Sequence, residues 1–125
     1  MKKFYAFVLA IGFLTIGALE ANGSATVGSP SPPEFVRKPT NLTVKEGQKA
    51  VWTFEISGNP VPSVSVLKNG DPIDISDRFE LLYKYPLVTF RIIVVYPEDE
   101  GDYTFVLTNA AGTASQTVKL TVEKL

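Results

Sequence analysis

Glu98, Asp99, Glu100 and Asp102 place four carboxylates within five positions, the densest group of chemically capable side chains in this 125-residue chain. Clustered carboxylate oxygens are what a hard cation such as calcium takes. A turn bearing several charged residues is also commonly just solvated, and we favour that reading, so no metal and no cofactor is expected. Composition closes most other chemistry. The chain has no histidine and no cysteine, which removes the common nucleophile–base pairs and zinc sites. It has no glycine-rich phosphate loop either, and the sequence does not read as an enzyme. One modification motif is clear: Asn41-Leu42-Thr43 is an N-glycosylation sequon, with Asn41 as the acceptor. Asn22-Gly23-Ser24 is a second, inside a region where a leader would be cut.

The elements that position these residues read as short extended segments near 35–38, 42–45, 49–57, 63–68, 78–84, 87–94, 102–108 and 113–122. Alternation is clearest in three places. Ala50, Trp52, Phe54 and Ile56 share one face against Val51, Thr53 and Glu55. Tyr103, Phe105 and Leu107 oppose Thr104, Val106 and Thr108, and Val118, Leu120 and Val122 oppose Lys119, Thr121 and Glu123. Each strand is therefore apolar on one side, and a second sheet must cover that side. Ser57-Gly58-Asn59-Pro60, Lys68-Asn69-Gly70-Asp71-Pro72 and Asn109-Ala110-Ala111-Gly112 supply turns through the positive-φ tolerance of Gly and Asn.

Ahead of the strands, Met1-Lys2-Lys3 precedes an uncharged run from Phe4 to Leu19, the pattern of a secretory signal peptide over residues 1–21. Retention of that segment as an anchor is the alternative, and only then would the chain contact a membrane. Residues 22–32 are rich in Ser, Pro and Gly and read as a flexible leader, leaving 33–125 as one domain. The formal net charge is −1, without the concentrated basic surface that nucleic acid requires.

Several segments, taken in order, resemble an immunoglobulin-like domain of the intermediate set (I-set). Pro39, Val44-Lys45-Glu46-Gly47 and Ala50 resemble its opening; Gly58-Asn59-Pro60-Val61-Pro62 and Lys68-Asn69-Gly70 resemble the entry to its third strand and the turn that follows. Phe90-Arg91-Ile92 with Val95, Asp99-x-Gly101-x-Tyr103 and Asn109-Ala110-Ala111-Gly112 resemble its strand E, the start of strand F and the F–G hairpin. The resemblance implies an all-β immunoglobulin-like sandwich. It makes Tyr103 the corner tyrosine bonding to nearby backbone, and it pairs Arg78 with Asp99, where the alternative is a solvated Arg78. It also marks a departure. The two bridging cysteines of the family correspond to Phe54 and Phe105, and its core tryptophan to Val66. Loss of a bridge closing a loop of about 50 residues gives up roughly 4 kcal/mol. Burying two phenyl rings offsets much of that, at about 1.5–3 kcal/mol each. With Trp52, Phe90, Ile92 and Tyr103 these residues form the expected core, which lacks the inter-sheet disulfide.

Function is expected to be protein binding. Ile93, Val94 and Tyr96 are expected on or near an outer face, beside the apolar stretch Leu81–Leu87, and a register shift that buries several of them is the alternative. Leu67 and Val106 offer a second patch on the other sheet. Such patches suit a protein partner, and a second copy of the chain is one option. The resemblance extends to small secreted immunoglobulin-domain proteins of invertebrates, some of which maintain neuronal architecture. It implies a secreted, extracellular protein in recognition, adhesion or neuronal maintenance. The alternative is a titin- or twitchin-like muscle or cytoskeletal module, since a domain without cysteine suits a reducing compartment.

Overall fold

A computed structural model describes residues 29–75 and 77–125. Residues 1–28, which hold the expected signal segment and most of the expected leader, lie outside the described residues. Among the described residues nine strands follow in order: β1 (Ser31–Arg37), β2 (Leu42–Lys45), β3 (Ala50–Asn59), β4 (Ser63–Lys68), β5 (Asp71–Pro72), β6 (Phe79–Lys84), β7 (Leu87–Ile92), β8 (Gly101–Asn109) and β9 (Gly112–Glu123). A single 3₁₀ turn, Pro97–Asp99, leads into β8. The strands form two sheets, β1-β3-β7-β6 and β2-β9-β8-β4-β5. Every pairing is antiparallel except β2 with β9. The result is an all-β immunoglobulin-like sandwich without a disulfide.

Burial follows the sequence alternation. Along β3, Ala50, Trp52, Phe54 and Ile56 are buried and Val51 and Thr53 exposed. On β8, Tyr103, Phe105 and Leu107 are buried, and Val118, Leu120 and Val122 complete the inner face of β9. Rings from both sheets meet at the centre. The Phe54 and Phe105 centroids are 4.8 Å apart, and Phe105 lies 5.9 Å from both Trp52 and Phe90. Val66, on β4, is buried beside this cluster, and the bulk comes instead from Trp52, 5.2 Å from Tyr103. Its indole N–H donates to Thr40 O at 2.9 Å, so the polar end of this buried ring is satisfied.

Three elements differ from expectation. β1 begins at Ser31, two residues inside the segment read as leader. It lies at a sheet edge, and Pro32 and Pro33 occupy an irregularity between the Ser31–Asn59 and Glu34–Ser57 pairs, where a missing N–H breaks no ladder. β7 stops at Ile92 rather than reaching residue 94: the chain bends at 93–94, and Val95 exchanges backbone hydrogen bonds with Gly47 and Gln48 instead. β5 is a two-residue strand that the sequence does not announce.

Candidate functional site

The acidic corner is built around Asp99. Its carboxylate receives two hydrogen bonds from Arg78, Nη1 to Oδ2 at 2.8 Å and Nη2 to Oδ1 at 3.1 Å. Oδ2 also accepts the Tyr96 N–H at 2.7 Å, and the Asp99 carbonyl accepts the Tyr103 hydroxyl at 2.6 Å. The Arg78 guanidinium lies against two rings, 4.9 Å from the centroid of Phe79 and 4.6 Å from that of Tyr96. Burial on its own would push the Asp99 carboxyl up. The Arg78 hydrogen bonds, the Tyr96 N–H and the Arg78 charge outweigh it and hold Asp99 below the ordinary carboxylate range. Glu100 is committed as well, accepting the Val122 N–H at 2.9 Å. This corner locks the loop before β8 rather than presenting oxygens to a ligand. Among the described residues no group of three or more acidic side chains could hold a metal ion.

The expected interface residues are not gathered on one surface. Ile93 and Val94 are half-buried: the Ile93 N–H donates to Arg78 O at 2.7 Å, and Val94 O accepts from Arg78 Nη1 at 2.6 Å. Both lie just past the end of β7 at Ile92, where the same arginine holds their backbone. Tyr96 is 43% exposed but rests on Arg78. Leu67 and Val106 are half-buried on the outer face of the five-stranded sheet, opposite Thr104 and Ser65. That face is largely hydroxyl-bearing, with Thr104 and Thr117 hydrogen-bonded at 2.8 Å.

A more open apolar surface lies on the outer face of the four-stranded sheet. Val51 is 40% exposed, Leu82 50% and Leu87 45%, on three adjacent strands. Polar pairs separate them: Thr53 with Thr89, and Arg91 donating to Glu80 from Nε at 3.0 Å and Nη2 at 2.6 Å. Tyr85, also exposed, continues this surface into the β6–β7 turn. The apolar stretch 81–87 signalled part of it. Val51 was passed over because an outward valine in an alternating strand is unremarkable by itself. Asn41 is exposed at the start of β2, and its Oδ1 accepts the Lys119 N–H at 2.8 Å.

A two-sheet sandwich, a buried corner tyrosine and an arginine–aspartate clamp before strand β8 define an immunoglobulin-type interaction module. Residues 33–122 match the immunoglobulin I-set domain family, and the chain belongs to it. It is 32% identical to neogenin of Rattus norvegicus over 104 residues, covering 83% of this chain and 7% of neogenin. It is 36% identical to smooth-muscle myosin light chain kinase of Gallus gallus over 93 residues, 74% of this chain and 5% of the kinase. The netrin receptor DCC of Homo sapiens is 39% identical over 93 residues, 74% of this chain and 6% of the receptor. The chain thus spans under a tenth of the length of these relatives. Among solved structures, a titin M10 complex with obscurin-like 1 aligns at TM-score 0.75 and 29% identity, covering 78% of this chain and 98% of that one. The titin Z1Z2 domains in complex with telethonin align at TM-score 0.75 and 28% identity, covering 90% of this chain and 52% of that one.

These similarities overturn one expectation. The chain resembles domains of titin, an intracellular cytoskeletal protein, and of the membrane receptors neogenin and DCC, not free secreted proteins, and the secreted, extracellular assignment is corrected accordingly. That assignment rested on the composition of residues 1–21, which lie outside the described residues.

Proposed function

We propose that this chain works as a structural module of the titin type, holding a partner protein in a cytoskeletal assembly. The observation that carries this reading is the outer face of the four-stranded sheet, where Val51, Leu82 and Leu87 are each at least 40% exposed on adjacent strands. Exposed aliphatics among satisfied polar pairs are what a partner can desolvate at modest polar cost. Two of the similar titin structures are complexes with other proteins, obscurin-like 1 and telethonin. A core without cysteine suits such a setting, because its stability does not require an oxidising compartment.

A second reading is favoured by the identity to neogenin and DCC together with the residue pattern of 1–21: an adhesive module at a membrane, with 1–21 as a targeting segment or anchor and Asn41 glycosylated. One experiment separates the two. Tagged full-length chain is expressed in muscle cells, cross-linked and fractionated, beside a Leu82→Glu/Leu87→Glu variant. A cross-linked partner in the cytoskeletal fraction, lost in a variant with unchanged circular dichroism, is the expected result. Cross-linking indifferent to the substitutions contradicts the proposed face. Recovery with membranes, with a mass shift removed by an endoglycosidase and by Asn41→Gln, replaces the first reading by the second.

A further inference from the structure

β1 leaves the four-stranded sheet early. Its pairing with β3 runs from Ser31–Asn59 to Arg37–Glu55, whereas β3 pairs with β7 from Ala50 onward. Residues 50–54 of β3 therefore have a strand on one side and none on the other. The space left there is a groove of about 400 Å³, lined among others by Arg37, Lys38, Thr40, Leu42, Val51 and Thr53. Thr40 is fixed in place by the indole N–H of Trp52, which gives the groove a firm floor.

Two properties identify what suits it. The first is charge: Arg37 and Lys38 line the groove and, among the described residues, no carboxylate does. The Arg37 side chain is 60% exposed, and Glu55, its nearest ion-pair partner, is 3.8 Å away, a contact weak enough to exchange for a better one. The second is shape. An unpaired stretch of strand offers backbone groups in the pattern that an added strand matches, with side-chain contacts repeating at every second residue.

We propose that this groove takes an extended acidic segment of a partner protein as a short added strand along β3, its apolar side chains against Val51 and Leu42 and its carboxylates at Arg37 and Lys38. The inference rests on the chain being a protein-binding module, but it places a second contact beside the apolar face and gives that contact a chemistry. Backbone pairing supplies affinity and the two cations select the sign of the peptide. Because the cations are exposed, binding weakens as salt is raised.

The test is fluorescence anisotropy of the full chain with a fluorescein-labelled peptide of alternating Glu and Val. Two controls accompany it: an alternating Lys and Val peptide, and the Glu–Val peptide N-methylated at alternate amides. Saturable binding is expected for the Glu–Val peptide. It should weaken at least about tenfold with Arg37→Glu/Lys38→Glu and with N-methylation, and be absent for the Lys peptide. Leu82→Glu/Leu87→Glu should leave it unchanged, so a failure of the apolar face is read independently of a failure here. No saturation up to about 1 mM or equal binding of the N-methylated peptide overturns strand addition, the second leaving charge attraction alone.

Discussion

Tyr103 is fully buried, and its hydroxyl donates to the carbonyl of Asp99 at 2.6 Å. Burial, then the Asp99 charge, holds its hydroxyl well above the ordinary tyrosine range, so the folded state keeps the neutral phenol. The sign follows: this contribution is complete below pH 10 and is lost as pH rises from there toward the folded value. Tyr83, also raised by burial, adds to the same loss. Tyr103→Phe should therefore flatten, without abolishing, the fall in stability above pH 10, and should cost about 1–3 kcal/mol at neutral pH by stranding a buried carbonyl. Urea unfolding from neutral to strongly alkaline pH checks both. A steep alkaline fall preserved in the variant would contradict the assignment. Asp99 acts with the opposite sign. Its lowered pKa adds stability above the ordinary carboxylate value that disappears as pH falls through the folded value.

At the scale of elements, Asn109 does the most joining. Its Nδ2 donates to Ser31 O and Pro60 O at 2.9 Å each, and its Oδ1 accepts the Ala111 and Gly112 N–H groups. One side chain thus shapes the β8–β9 turn and fastens the start of β1 to it. Gly58 adjoins the same junction at φ +153°, where a Cβ would come within 2.8 Å of Pro62 and 3.2 Å of the Pro33 backbone. Asn109→Ala should cost about 1–3 kcal/mol and raise amide exchange in β1 before the rest of its sheet; unchanged exchange in β1 would contradict the fastening role. This junction also shows the limit of what local pattern reveals. Alternation identified β3, β8 and β9 because each has one buried face, and the turn dipeptides bounded them. It could not reveal that β1 starts at Ser31, since two prolines mask a strand whose edge position tolerates them. Nor could it show that β7 stops at Ile92, where the chain bends and Val95 bonds to Gly47 and Gln48, distant in sequence. The β3 groove was hidden for the same reason, because it exists only where one strand leaves another.

For the whole molecule, the question is how two sheets stay together without a covalent link. The positions where family resemblance expects cysteines, Phe54 and Phe105, are fully buried with centroids 4.8 Å apart, and Trp52 and Phe90 pack around Phe105. It was the resemblance to the family, not alternation or spacing by itself, that pointed to those two positions. The exposed face of Val51, Leu82 and Leu87 was only partly legible, because exposure depends on which strands are neighbours. Joining the sheets by rings leaves the module independent of redox compartment and its outer faces available for partners. The most direct measurement is a double-mutant cycle by urea unfolding of the full chain, comparing Phe54→Leu, Phe105→Leu and the pair, variants that remain apolar and so are expected to fold. Each single substitution should cost about 1–3 kcal/mol, with a coupling of about 0.5–1.5 kcal/mol between the rings. Additivity within about 0.5 kcal/mol would mean that the rings do not act together and that the sheets are held elsewhere.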